Sequence, residues 1–214
     1  MQDTRLQTLA KAGRKSQDRY QRTTSLFDQL VQLLVRGHPG ASKLFARRLH
    51  RVLDEVLAIL RAHPELEYDA HGNLVGSGLT FRPTAHQFQV KQHILFAWCA
   101  FDTLTYPVEL HASAHITSRC PVTGRSILLS VTSEQVRDLD PPGAVVSLLV
   151  AYETAACCHN VREGVCNYGH FFVSREVATQ WQAAHPQALI LSVKEAYQVG
   201  KLVEGHRSRY AIRA

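Results

Sequence analysis

The chain has 214 residues, enough to bury a core as one domain or two small ones, and its 45% apolar and 20% charged content is ordinary for a soluble globular protein. No apolar run reaches the roughly 18 residues of a membrane span, and the basic start lacks the apolar region of a secretory signal, so a reducing cytoplasm is the expected address. The net charge of +6 is concentrated at the ends, with Arg5, Lys11, Arg14, Lys15, Arg19 and Arg22 at the start and Arg207, Arg209 and Arg213 at the finish. Basic ends of this kind read first as solvated tails, with nucleic-acid contact as the competing reading.

Residues 1–22 are polar and weakly periodic, a basic extension or loose helix. From Thr23 the pattern turns helical: Leu26, Phe27, Leu30, Val31, Leu33, Leu34 and Val35 form an apolar stripe with Thr23 or Thr24 as N-cap. Gly37-His38-Pro39-Gly40 ends it. Ser42 caps a second helix. A third, through Val52, Leu53, Val56, Leu57, Ile59 and Leu60, ends at His63-Pro64. Residues 66–79 then alternate short β-prone runs around Asp69…Gly72-Asn73, a hairpin signature. Three helices and a hairpin predict a winged-helix-like module over residues 23–83. Its third helix is a poor DNA reader, because Asp54 and Glu55 sit within it and Arg51 and Arg61 lie only at its ends.

After Thr84 the character changes. Strands are expected at 87–90, 94–98, 115–118, 126–131 and 144–150, separated by the turns Pro121-Val122-Thr123-Gly124 and Asp140-Pro141-Pro142-Gly143. A strand at 169–173, a helix at 175–185, a strand at 188–193 and a helix at 195–203 follow. Residues 84–214 therefore read as an α+β core with a mixed or antiparallel sheet.

Five cysteines, Cys99, Cys120, Cys157, Cys158 and Cys166, cannot all pair internally and read as thiols. No closed zinc pattern is present. Neither a Walker A motif, a GxGxxG loop nor a GxSxG elbow occurs, so nucleotide binding and serine hydrolysis lack support. The informative segment is Trp98-Cys99-Ala100-Phe101-Asp102. If the backbone turns helical there, positions i and i+3 share a face and bring the thiol to the carboxylate. A buried structural Cys with an Asp capping a helix is the plainer alternative. Cys166 leads Asn167-Tyr168-Gly169-His170-Phe171-Phe172; a Cys beside an apolar strand is usually packing, but its loop-like neighbours leave an accessible thiol open. Cys120, at a strand end before a turn, reads as structural. Cys157-Cys158-His159 reads as a loop with incidental thiols or as an auxiliary soft-metal relay beside Cys166. The histidines, among them His71, His86, His93 and His111, show no HxH or HExxH spacing and are assigned no role.

Glu67-Tyr68-Asp69…Gly72-Asn73…Gly76…Gly78-Leu79-Thr80, Phe96 to Leu104 around Cys99, Ser118-Arg119-Cys120…Thr123-Gly124 and Cys166…His170-Phe171-Phe172 together resemble the organomercurial (alkylmercury) lyases of bacterial mercury resistance. The resemblance spans roughly residues 25–200. It implies a winged-helix-like N-terminal part on an α+β core and a catalytic triad of Cys99, Asp102 and Cys166, which would also hold mercury. Many members carry a second Cys directly after the last of these; here that position is Asn167. Cys157-Cys158-His159 falls in what looks like a short insertion. The implied reaction is protonolysis of a carbon–mercury bond to a hydrocarbon and Hg(II). The cysteine thiolates would hold the soft metal, and Asp102, its pKa raised by apolar surroundings and thiolates, would deliver the proton. No organic cofactor is required. The implied partners are an organomercurial substrate, low-molecular-weight thiols for product release and mercuric reductase for hand-off. A membrane has no part, and nucleic acid is disfavoured. The competing readings are a soft-metal (Hg or Cu) binding protein and a thiol-based, metal-responsive DNA-binding regulator, neither of which needs an acid beside Cys99.

Overall fold

The computed structural model describes residues 4–11, 31–32, 34–37, 54, 58, 66–149 and 161–211. Residues 4–11 are helical, and Ala10 is fully buried against the core with Leu6 and Leu9 packed beside it. Positions 31, 32, 34, 54 and 58 are helical as well. Positions 35–37 form a turn, with Val35 N–H donating to the Val31 carbonyl and Gly37 N–H to the Leu34 carbonyl, and the remaining positions of the three helices expected before residue 64 lie outside the described residues.

The hairpin forms as its sequence predicts. Strands β1 (Glu67–Tyr68) and β2 (Leu74–Ser77) pair antiparallel. The Asp69 carboxylate accepts from the backbone N–H of His71 and Asn73 and from Asn73 Nδ2, and Gly72 takes the left-handed φ of 77° that the turn needs. The hairpin runs on through β3 (Leu79–Thr80) into the main sheet, with β4 (His86–Val90), β5 (His93–Ala97), β6 (Ala114–Arg119), β7 (Ser126–Val131) and β8 (Val136–Asp140). The eight strands lie in the order β1-β2-β3-β5-β4-β6-β7-β8, every pairing antiparallel. Alternation fixes the inner face: Ala114, Ile116 and Ser118 of β6 and Ile127, Leu129 and Val131 of β7 are buried while their neighbours face outward.

Strand β8 is absent from the sequence reading. Its Val-Arg-Asp-Leu-Asp composition is polar, it has no buried residue, and Asp138 sits at a positive φ next to a register shift. These are marks of an edge strand rather than of a core one. A second sheet holds three antiparallel strands in the order β10-β9-β11: β9 (Val145–Leu148) at the centre, β10 (Phe171–Phe172) and β11 (Leu189–Ser192) at the sides.

Helix α1 (Ala100–Glu109) follows β5 directly. A short helix, α2 (Val161–Gly164), precedes the Cys166 segment. Helix α3 (Arg175–Gln182) is N-capped by Ser174, whose Oγ accepts from Val177 N–H. Helix α4 (Val193–Ala211) starts on a reciprocal cap: Glu195 accepts from Ser192 N–H and Oγ–H, and Ser192 Oγ accepts from Glu195 N–H. Leu104 of α1 and Ala196, Tyr197, Val199 and Val203 of α4 join the inner faces of the sheets in one core. Among the described residues no helix is long and apolar enough to cross a membrane.

Candidate active site

Strand β5 ends at Ala97. Trp98 N–H then donates to the Gly78 carbonyl, and Cys99 adopts an extended conformation as the N-cap of α1. A reciprocal box closes there. Asp102, three residues into the helix, donates its backbone N–H to Cys99 Sγ, and its Oδ2 accepts from Cys99 N–H at 3.1 Å. Cys is a poor N-cap, since sulfur is a weak acceptor beside the oxygens of Ser, Thr, Asp or Asn. A poor cap held by an otherwise regular box marks a position chosen for its chemistry. The helix start brings thiol and carboxylate together and points a backbone N–H at the sulfur.

The second thiol arrives from a 3-10 turn at Cys166–Tyr168, sealed by Gly169 N–H on the Cys166 carbonyl. The first N–H of α1, on Ala100, donates to the Gly169 carbonyl at 2.9 Å, knitting the two segments together. Cys99 Sγ, an Asp102 carboxylate oxygen and Cys166 Sγ all lie within 4.8 Å of one another. Both cysteines are buried, 4% and 6% exposed, and Asp102 is half-buried. The Cys99 thiol is pushed well above its usual pKa, first by its hydrogen bond to Cys166, then by burial and by the negative charges of Asp102 and Cys166; the N–H of Asp102 pulls the other way. Cys99 therefore keeps its proton at neutral pH until something displaces it.

Gly169 makes this approach possible. A Cβ there would sit 2.8 Å from Cys99 Cβ and 3.2 Å from Cys99 Sγ. Gly169→Ala must push the two thiol-bearing segments apart. We expect kcat/KM for any reaction that needs both thiols to fall about 100-fold, as for misplacements near 1 Å, with an intact far-UV circular dichroism spectrum. Wild-type kcat/KM in that variant would mean that the close approach is not needed.

Around the turn lie groups that the sequence did not flag. His86 of β4 faces Ser118 of β6 in register, with Nδ1 2.8 Å from Ser118 Oγ, and its ring stacks on that of His170. Burial, then the charge of His170, lowers its pKa to about 3. The His170 pKa is lowered by burial too. A depressed folded-state pKa means that the unfolded chain binds more protons between the two values. The contribution of His86 is thus complete above about pH 6.5 and is lost as pH falls toward 3, at up to about 1.4 kcal/mol per pH unit. Urea unfolding of His86→Gln should show a flatter decline from pH 7 to 4 than wild type; parallel profiles would remove His86 as the cause.

The guanidinium of Arg162, on α2, lies over the Trp98 ring at 5.5 Å and pairs with Glu67 of β1. The residue before Cys99 is thereby linked to the helix before Cys166. Cys120 is a packing residue in a tight turn: its N–H donates to the Arg125 carbonyl and its carbonyl accepts from Gly124 N–H. Cys157, Cys158 and His159 lie outside the described residues.

Two buried thiols and a carboxylate meet at the junction of a helix N-terminus and a 3-10 turn, a donor set that could hold a soft metal ion beside an acid. The family described as alkylmercury lyase matches residues 79–205, and the helix-turn-helix domain of alkylmercury lyase matches residues 6–78, starting inside the segment read from the sequence as a basic extension. Alkylmercury lyases from Streptomyces lividans, Staphylococcus epidermidis and Pseudomonas putida are similar to this chain at 40, 38 and 37% identity, over 82, 82 and 84% of it and 80, 80 and 82% of their own lengths. The crystal structure of the mercury-bound form of MerB2 superposes with a TM-score of 0.69 at 25% identity, covering 82% of this chain and 86% of that one. The chain belongs to the alkylmercury lyase family of enzymes.

Proposed function

We propose that this enzyme cleaves the carbon–mercury bond of organomercurials by protonolysis, R–Hg⁺ + H⁺ → R–H + Hg²⁺, with Cys99 and Cys166 as mercury ligands and Asp102 as proton carrier. The observation that carries the reading is the convergence of the three groups within 4.8 Å. An incoming organomercurial exchanges its external thiolate for a cysteine sulfur. Cys99 holds its proton in the free enzyme, so the second Hg–S bond requires that proton to leave. Asp102, bonded to the N–H of the same residue, is placed to take it. Two thiolates raise electron density on mercury and weaken its bond to carbon. Asp102 then returns the proton to the departing carbon as general acid, leaving neutral Hg(SCys)₂. Asp102 is afterwards available as a third, weaker oxygen ligand.

The chemistry needs no organic cofactor, since ligands and acid are all side chains. A dithiolate holds Hg(II) tightly, so release requires external thiols, and mercuric reductase is the proposed acceptor. The division of labour we propose places a winged-helix-like module at residues 23–83, after the extension 1–22, and the catalytic core at 84–214, in a cytoplasmic protein. The mercury-bound state of a structural relative supports Hg(II) as the bound product.

Headspace gas chromatography tests the reading. Purified enzyme with methylmercury and excess monothiol should release many equivalents of methane, and without thiol no more than about one. Mercury bound at the thiols with no methane would make the chain a binding protein. Many turnovers without thiol would overturn the release step.

A further inference from the structure

Strand β9 is buried on every residue, yet it carries a serine in its centre. Ser147 has no exposed surface. An isolated hydroxyl in such a place is costly unless bonded. Its partners are all on the segment that follows Cys166: Ser147 Oγ–H donates to the Tyr168 carbonyl at 2.6 Å and Oγ accepts from His170 N–H at 3.0 Å. The backbone N–H of Ser147 donates to the His170 carbonyl at 2.9 Å.

The register explains why a side chain is needed. The β9–β10 ladder proper covers only Phe171↔Val146 and Phe172↔Val145. The Ser147 N–H bond to the His170 carbonyl carries backbone pairing one residue further, and beyond that the chain rises into the 3-10 turn. The hydroxyl reaches that turn and extends the ladder toward Cys166. The Gly169 carbonyl is held from another direction, by Ala100 N–H, and the Cys166 carbonyl by Gly169 N–H. Ser147 is the only one of these groups that grips the turn from the second sheet through a side chain.

We propose that Ser147 is a positioning residue for the second thiol, its hydroxyl fixing the main chain at Tyr168 and His170 and thereby holding Cys166 Sγ against Cys99. The inference rests on the reading of Cys99 and Cys166 as the mercury pair. Ser147 touches no reacting atom. Its effect is preorganisation, because a pair held in place binds one ion through two sulfurs without first restricting a loose turn. Loosening the turn weakens two-sulfur binding and slows the step that needs both sulfurs, while entry of the substrate through one sulfur is little changed.

The test compares Ser147→Ala and Ser147→Thr with Tyr197→Phe, which deletes a remote hydroxyl bound to the Thr132 carbonyl. Each full-length protein is titrated with inorganic Hg(II) against a competing monothiol, and its melting temperature, kcat and KM are measured. Ser147→Ala should bind Hg(II) roughly tenfold more weakly, as expected for losing two hydrogen bonds, and its kcat should fall by a similar factor with KM within about twofold. Ser147→Thr retains the hydroxyl and should stay near wild type, as should Tyr197→Phe even where its melting temperature drops. Wild-type Hg(II) affinity in Ser147→Ala overturns the proposal, and so does an equal loss in Tyr197→Phe. If the alanine protein does not fold, Ser147→Thr decides: a tenfold loss at an unshifted melting temperature overturns the proposal, and retention upholds it. Affinity for inorganic Hg(II) is read without cleavage, so absence of methane from the wild type would sink the lyase reading separately.

Discussion

Asp102→Asn is expected to retain mercury binding and lose cleavage. The amide oxygen of Asn can still accept from Cys99 N–H, so the start of α1 and the placement of Cys99 survive. What disappears is a group able to take a proton and return it. Loss of a positioned general acid lowers rates by roughly 10²–10⁴-fold. Asp102→Ala removes the cap as well and should cost about 1 kcal/mol of stability besides, which makes the Asn variant the cleaner test. Single-turnover methane release from methylmercury, measured beside an Hg(II) titration, separates the two effects. Cleavage at the wild-type rate in Asp102→Asn would remove Asp102 from the proton path.

Cys166→Ala is the second large effect. One thiolate remains, and in the proposed mechanism a singly coordinated organomercurial keeps its carbon–mercury bond, because that mechanism assigns activation to the second sulfur. Turnover should fall by more than the roughly 100-fold typical of losing a residue that only orients a ligand. A second signature comes from the neighbour. The hydrogen bond that the Cys99 thiol donates to Cys166 is the largest influence holding it above its normal pKa. Without it, Cys99 should titrate at lower pH, seen as a downward shift in the pH dependence of its alkylation rate. An unshifted alkylation profile would mean that the two sulfurs do not interact in solution, and retained turnover would exclude Cys166 as a ligand.

The pairing of Cys99 with Asp102 was legible because it is local: i and i+3 meet whenever the chain turns helical. The two readings of Asp102, helix cap and chemical partner of Cys99, prove compatible, since the capping box itself places the carboxylate beside the thiol. Of the two readings of Cys166, the accessible thiol does not hold, since the residue is buried, yet the packed thiol still lies within the cluster. That Cys166 meets Cys99 could not be read from spacing. It depends on β9, β10 and the Gly169 approach, and only the family resemblance pointed to it. The hairpin and most core strands were visible because turn residues and period-two burial are local signals, whereas β8 was hidden by its polar edge. His86 and Ser147 left no mark, because a polar residue in an apolar strand announces nothing until its partners are in place.

The most direct measurement is methane released from methylmercury in D₂O by the wild-type enzyme with excess thiol. Protonolysis by an exchangeable side-chain proton predicts monodeuterated methane over many turnovers, with its yield collapsing in Asp102→Asn. Unlabelled methane, or labelled methane at an undiminished rate from the Asn variant, would contradict transfer of the proton through Asp102.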